Sequence, residues 1–290
     1  MTRVKIVTDS TADIPKDLVE ELDITVIPLK VNFSEQETYL DGEELSPAQF
    51  YEKLGKTSVM PTTSQPSPYD FETLYSKIST DADEETVVFS IHLSSKLSGT
   101  YQAASIAAGE VEDKIRVHVI DSKKASYSIG IIVEDVARLA ATGASAEQVQ
   151  ARIDGLLEST SVYFLVETLE YLQKNGRIGK AAALIGSLLK MKPILSLSKE
   201  GEVYPFEKVR GRKKAIDKIV ETLAAEYHNQ PVKIGLSHAV ASDVGDSVLE
   251  TVSSRLNTVS TVKTEIGAVI GTHVGPGTIA IMVIPADENK

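Results

Sequence analysis

Short apolar runs alternate with helical patterns along the first half of the chain. Continuous apolar runs at Val4–Thr8, Thr86–Ile91 and Arg116–Ile120 are typical of buried strands, and Ile24–Phe33 has the same character. The small residues of Ser98–Gly109 predict a helix that packs closely on a sheet. Alternation of helices with buried strands indicates a mainly parallel, Rossmann-like sheet.

The second half has a different pattern. It begins with a strand at Val162–Glu167 and an Ala/Leu-rich helix at Gly179–Lys190, and a turn at Glu200-Gly201 predicts a hairpin. The remaining predicted elements are the hairpin strands Pro193–Ser198 and Val203–Val209, an amphipathic helix at Arg212–Glu226, and strands at Val232–Ser237, Thr258–Ile266 and Thr278–Pro285. We therefore expect an α/β protein of two α/β domains, residues 1–160 and 161–290. The C-terminal domain should contain a mixed sheet with helices.

Composition narrows the class of protein. The chain has 290 residues and a net charge of -11, which argues against nucleic-acid binding because that needs a broad basic face. It contains no cysteine, which excludes disulfides, thiol nucleophiles and thiolate metal sites. The N-terminus leads directly into a strand, without a signal-peptide core or a segment long enough to cross a membrane. We expect a cytoplasmic protein, and a monomer because no heptad pattern is present.

Three hydroxyl-rich loops follow predicted strands or lie between helices. They are Asp9–Thr11, Pro61–Ser67 and Ser94–Thr100. Ligands of open α/β sheets bind at the carboxyl ends of strands, and hydroxyl and backbone N–H groups suit an anion there. Serine and threonine are also common turn and cap residues, so each loop by itself has a structural explanation. Together they indicate a ligand site without identifying the ligand.

His273 lies in a glycine-rich segment, Gly271–Gly277, between positions expected to be strands. This spacing of glycines is not a dinucleotide fingerprint, and no other histidine lies at metal-ligand spacing. One alternative is a structural histidine. Another is a hydrolase in which His273 works with Ser94 or Ser95 and Asp9, although no nucleophile-elbow motif is present. A phosphate-binding P-loop is also absent, so no ATP site is expected.

Basic residues concentrate in one segment of this acidic chain. Residues 174–218 contain 12 lysines and arginines and four acidic residues, a local charge of +8. Solvated helix faces explain part of this excess. Arg177 and Arg210 each lie beside a glycine in a predicted turn, which makes them candidates for contact with an acidic partner.

An ordered set of motifs along almost the whole chain resembles the DegV family. The segments are VTDSTAD (Val7–Asp13), TSQPSP (Thr63–Pro68), SSKLSGTY (Ser94–Tyr101), IDSK (Ile120–Lys123), EYLQKNGRI (Glu170–Ile178), KPI (Lys192–Ile194) and GTHVGPG (Gly271–Gly277). One such segment would be a weak indication, whereas seven in order are specific.

The resemblance implies a single long-chain fatty acid bound between the two domains, such as palmitate, stearate or oleate. It implies that loop hydroxyls hold the carboxylate, with Thr63 and Ser95 as first choices and Thr62, Ser94 and His273 close to them. It implies no catalytic residue, metal or cofactor.

The family resemblance also suggests a partner. A separate ATP-binding kinase subunit would phosphorylate the presented carboxylate, and the acyl phosphate would feed phospholipid synthesis. Arg177 and Arg210 are then the predicted docking residues for the kinase. Two alternatives stay open, namely a stand-alone Ser/His hydrolase or phosphotransferase, and a lipid carrier or sensor without a kinase partner.

Overall fold

The computed structural model describes residues 3–82, 85–186 and 192–286. Its first sheet has four parallel strands in the order β2-β1-β6-β7, numbered along the chain. These strands are β1 (Arg3–Asp9), β2 (Thr25–Ile27), β6 (Thr86–His92) and β7 (Arg116–Asp121). The mainly parallel N-terminal sheet predicted from buried apolar runs is confirmed.

Helices cover both faces of this sheet. On one face, α3 (Pro68–Asp81) and α4 (Thr100–Glu110) pack against Val7 and Val88. The opposite face, which includes Ile6, packs against α5 (Tyr127–Ala141). Alternate residues of a strand point to opposite faces, so a sheet covered on both sides needs continuous apolar strands.

A small antiparallel sheet lies beside the first one, in the order β4-β3-β5. Its strands are β3 (Lys30–Asn32), β4 (Thr38–Leu40) and β5 (Thr62–Ser64). The single strand predicted over Ile24–Phe33 is therefore wrong, because the segment divides into β2 and β3 of two different sheets. Pro28 lies at the division, and its ring nitrogen has no hydrogen to donate to a strand ladder.

The second sheet has six strands in the order β10-β9-β8-β13-β11-β12. They are β8 (Ser161–Leu165), β9 (Lys192–Leu197), β10 (Val203–Val209), β11 (Val232–His238), β12 (Thr258–Glu265) and β13 (Ile279–Pro285). Strands β11 and β12 are parallel, whereas β13 is antiparallel to both β8 and β11. The predicted mixed C-terminal sheet and its β9–β10 hairpin are confirmed.

Seven further α-helices lie in the described part of the chain. They are α1 (Lys16–Glu21), α2 (Pro47–Leu54), α6 (Ala146–Ser159), α7 (Glu170–Lys174), α8 (Arg212–Tyr227), α9 (Ser242–Ser253) and α10 (Ala268–Val274). The helix predicted over Gly179–Lys190 is observed as a 3-10 helix at Gly179–Leu184, and residues 187–190 lie outside the described residues.

The two large sheets share one apolar core. Helix α5 lies between them, and its Ile129 belongs to the same buried cluster as Phe89 of β6 and Phe164 and Met282 of the second sheet. The first sheet ends before residue 122 and the second begins at Ser161. The division into domains after residue 160 stays a prediction, since this core crosses it.

Candidate functional site

A cavity of about 340 Å³ lies where the loops after β6 and β7 meet the second sheet. Most of the side chains that line it are apolar. They include Leu93 and Leu97 from the first half and Val162, Phe164, Val203 and Ala280 from the second. Its volume is at the lower end of the range of about 300–1,000 Å³ for small-molecule sites. The cavity therefore suits a narrow apolar molecule.

Thr63 and His273 form a polar pair in the lining of this cavity. Thr63 Oγ1 lies 2.9 Å from His273 Nε2, although the residues are 210 positions apart. His273 lies near the end of helix α10, which the sequence pattern did not predict between the two expected strands, here β12 and β13. Gly271 belongs to this helix as well, and a Cβ there would lie 2.6 Å from Tyr51 Oη. This glycine serves close packing rather than a turn.

The imidazole of His273 is neutral at ordinary pH. Burial, with the nearby Arg177 guanidinium as a second cause, lowers its pKa to about 4. In one tautomer Nε2 donates to Thr63 Oγ1, which leaves the threonine hydroxyl hydrogen free for an acceptor. The other ring nitrogen, Nδ1, is buried and has no hydrogen-bond partner among the described residues. In either tautomer one hydrogen, on the Thr63 hydroxyl or on Nδ1, has no acceptor among these two residues and is left for a ligand atom.

Arg177 links the two halves at the edge of the cavity. Its Nε donates to Leu97 O at 3.2 Å and its Nη1 donates to Asn175 O at 2.7 Å. Its side chain lines the cavity although the residue is exposed. Arg210 is also exposed but does not line the cavity. The two arginines predicted to dock a partner therefore occupy different positions relative to the site.

The remaining predicted hydroxyls do not line the cavity. Ser94 is buried and donates to Gly201 O at 2.8 Å. Ser95 Oγ donates to Asp121 Oδ2 at 2.5 Å, and its backbone N–H donates to Asp121 Oδ1 at 3.1 Å. Thr62 is exposed on β5. Binding roles for these three residues stay predictions.

Five polar residues line the cavity without having been singled out from the sequence, namely Ser64, Gln65, Ser98, Ser126 and Thr278. A signal for Gln65 was present, because residues two apart on an extended segment share a face and Thr63 was already a candidate. Ser126 had no such signal. Its φ of 56° is unusual for a residue with a side chain, and its Oγ donates to Asp13 Oδ2 at 2.5 Å.

The hydrolase arrangement considered from the sequence is not assembled. Asp9 Oδ2 lies 2.9 Å from Nδ1 of His92 rather than from His273, and Ser90 Oγ lies 2.7 Å from Nε2 of the same ring. All three of these residues are fully buried within the first sheet, and none of them lines the cavity. This Asp–His–Ser chain therefore connects strands β1 and β6.

No helix in the described part of the chain has the length and hydrophobicity needed to cross a membrane. Within residues 3–82, 85–186 and 192–286, no group of three or more histidine, cysteine or acidic side chains is arranged to hold a metal ion. The polar side chains that line the cavity carry hydroxyl, amide, imidazole and guanidinium groups.

Comparison with known proteins gives consistent matches. The model of the DegV family, described as an uncharacterised protein family, matches residues 3–286. Protein DegV of Bacillus subtilis is 39% identical over 280 residues, which cover 96% of this chain and 98% of that protein. A DegV family protein from Thermus thermophilus, described by its fatty acid binding, has a TM-score of 0.91 and 38% identity, with coverage of 98% and 100%. The crystal structure of DegV from Bacillus subtilis, described as a fatty acid binding protein, has a TM-score of 0.87 and 36% identity, with coverage of 99% and 100%.

Proposed function

Because this chain belongs to the DegV family, we propose that it binds one long-chain fatty acid in the cavity between its two large sheets. One observation carries the proposal: a mostly apolar cavity contains the Thr63–His273 pair. An amphiphile with a long apolar tail and one polar head matches this distribution. The protein would act as a cytoplasmic, monomeric binding subunit rather than an enzyme.

The tail supplies most of the binding free energy in this proposal. Each buried CH₂ group contributes about 0.8 kcal/mol, so a 16-carbon chain offers roughly 11 kcal/mol before the costs of ordering. The side chains that would contact it come from both halves, including Leu93 from the first and Phe164 from the second. Palmitate, stearate and oleate differ in the length and shape of this tail, so cavity shape would select among them.

The head group would be held by hydrogen bonds from neutral groups. Thr63 can donate its hydroxyl hydrogen while it accepts from His273 Nε2 at 2.9 Å. Gln65 lines the same cavity and can add an amide donor. A carboxylate removed from water requires several such donors, because an unpaired buried charge is very costly. We keep Ser95 as a second hydroxyl, which would have to turn from Asp121 toward the ligand.

We further propose that a separate ATP-binding kinase subunit phosphorylates the presented carboxylate, and that the acyl phosphate enters phospholipid synthesis. Arg177 lies at the edge of the cavity and Arg210 is exposed outside it, so both are accessible to a partner. Several neighbouring basic residues already pair with acids, for example Lys218 with Glu207 at 3.4 Å. Arg210 makes no ion pair with a residue that the structure describes, which leaves its charge available.

The alternative of a stand-alone hydrolase has less support. A catalytic histidine needs a group that orients its second ring nitrogen, and His273 Nδ1 has no partner among the described residues. A lipid carrier or sensor without a kinase would use the same cavity. The presence or absence of a kinase partner distinguishes it from the proposed binding subunit.

Native mass spectrometry of protein purified from bacteria tests the binding proposal. We expect a mass excess equal to one fatty acid, which disappears when the protein is denatured. If the protein is free of lipid and added palmitate and oleate also fail to bind, the proposal is wrong.

Incubation of the loaded protein with ATP and a DegV-associated kinase, followed by detection of acyl phosphate, tests the proposed partner. Release of free acid from acyl esters by the chain alone would instead support the hydrolase.

A further inference from the structure

Helix α10 carries His273 but lacks a capping side chain of its own, since Gly267 precedes its first residue. Two carboxylates from the first half of the chain take this place. Asp13 Oδ1 accepts from Gly267 N at 2.9 Å, and Asp41 Oδ1 accepts from Ala268 N at 3.0 Å. A Cβ at position 267 would lie 2.7 Å from Asp13 Oδ1, so only glycine permits this approach. Carboxylates at a helix N-terminus satisfy its free N–H groups and complement its dipole.

Both carboxylates are held on their other oxygen as well. Ser10 Oγ donates to Asp41 Oδ2 at 2.8 Å, and Ser126 Oγ donates to Asp13 Oδ2 at 2.5 Å. Asp13 is 8% exposed and Asp41 is 4% exposed, so water contributes little to their solvation. Ser126 also lines the cavity, so the network that fixes α10 reaches the ligand site at a second point.

The far end of α10 forms part of the ligand site. Its seven residues span about 10 Å, from the carboxylates to the imidazole of His273. Asn175 Nδ2 donates to Thr272 O within the helix at 2.9 Å, and Tyr51 Oη donates to Ile266 O, just before the helix, at 3.0 Å. A short helix fixed along its length moves as a unit, so a shift of its first turn displaces His273.

We propose that Asp41 and Asp13 are positioning residues for His273. They hold α10 where His273 reaches Thr63, and protonation of Asp41 loosens this hold and weakens binding of the head group. The effect on ligand affinity rests on the proposed fatty-acid binding. The effect on the position of the His273 ring does not depend on that proposal.

The environment of the two carboxylates makes this protonation accessible. Burial raises the pKa of Asp41 to about 6 and raises that of Asp13 well above its usual range. The titratable and charged groups around them are Asp9 of β1, Tyr51 of α2 and Glu265 of β12. The adjoining groove adds Lys16, Glu20, Glu43 and Lys263. Asp41 therefore takes up a proton as the pH falls through about 6. Ala268 N then donates to a neutral acid, which is a weaker hydrogen bond.

Nitrogen NMR of the His273 ring, recorded without ligand, tests the positioning role directly. We expect Asp41→Ala to shift the Nε2 resonance because the bond to Thr63 lengthens, and Asp41→Asn to shift it less because the amide oxygen can still accept. Asp135→Asn is the matched control, since Asp135 is a buried carboxylate held by Arg152 and Lys233 in a different part of the fold. A folded Asp41→Ala protein with the wild-type Nε2 resonance would overturn the inference. If Asp41→Ala does not fold, the same resonance in Asp41→Asn decides.

Palmitate affinity at about pH 7.5 and about pH 5 tests the role of the proton. We expect Asp41→Ala to bind about tenfold more weakly than the wild type at the higher pH, the value for one lost charge-assisted hydrogen bond. At the higher pH the wild type should also bind palmitate more tightly than Asp41→Asn. This difference in affinity should disappear at the lower pH, where both side chains are neutral. An unchanged ratio at the two pH values would refute the proton-linked part. Failure of the wild type to bind palmitate would refute the proposed function and leave the NMR result valid.

Discussion

Replacing Thr63 by valine removes one hydroxyl and keeps the shape of the side chain. Thr63 lies in β5 opposite Val31 of β3, where a β-branched residue suits the strand. A hydrogen bond to a charged acceptor contributes about 1.5–3 kcal/mol, so Thr63→Val should weaken fatty-acid binding roughly 10- to 150-fold. The tail offers roughly 11 kcal/mol on burial, so the remaining affinity should stay measurable.

Calorimetric titration with palmitate and with hexadecanol separates the head group from the tail. The two ligands have the same chain length, but only palmitate carries a charge. A hydrogen bond between neutral groups contributes about 0.5–1.5 kcal/mol, so the loss for hexadecanol should be less than about tenfold. Ser95→Ala serves as the comparison variant. We expect it to cost less than Thr63→Val, because the Ser95 hydroxyl already donates to Asp121 at 2.5 Å.

Equal losses for the acid and the alcohol would show that Thr63 acts through packing rather than by contact with the carboxylate. A larger loss for Ser95→Ala than for Thr63→Val would make the loop after β6, rather than β5, the main holder of the head group. Circular dichroism and thermal unfolding of both variants establish that each comparison is made on folded protein.

Three further predictions concern the partner, the fold and acid. Arg210→Ala should reduce kinase-dependent formation of acyl phosphate and leave palmitate affinity unchanged, because this side chain lies outside the cavity; loss of palmitate binding would contradict a docking role. Asp135→Asn should lower the free energy of unfolding in urea by about 2 kcal/mol, since Arg152 and Lys233 lose their shared carboxylate. His273 has a pKa lowered to about 4 from 6.5, so the unfolded chain binds this proton first as the pH falls. The contribution of His273 to the unfolding free energy should therefore decline from about pH 6.5 to about pH 4, by up to about 3 kcal/mol, and comparison of the wild type with His273→Asn isolates it from the opposite contribution of Asp41.

The elements that the sequence predicted best are those whose environment is uniform. Strands β1 and β6 are covered on both faces, so their apolar runs are continuous and readable without knowing the fold. Segment Ile24–Phe33 has a similar apolar content but contributes to two sheets. Hydrophobicity indicates that a residue is buried but carries little information about which sheet it joins. Pro28 was the one residue in this segment that indicated the division into β2 and β3.

The glycines around His273 show a different limit. A glycine can be required by a turn, by a positive φ or by close packing, and the sequence alone does not show which of the three applies. Gly271 lies within α10 against the ring of Tyr51, 220 positions away in the chain. Because that partner lies in the first half of the chain, the local pattern predicted the strands on either side of His273 but not the short helix α10 between them.

The sequence predicted some of the residues of the candidate site, but not which of them contact each other. Thr63 followed from a hydroxyl-rich segment and from the family motif, whereas Asp41 belongs to no motif. The decisive bonds join Thr63 to His273, Gly267 to Asp13 and Ala268 to Asp41, across 210, 254 and 227 positions. Each connects the first third of the chain to its last tenth. A ligand that contacts both sides of the cavity would therefore stabilise the packing of the two halves along with its own complex, in proportion to its concentration and affinity.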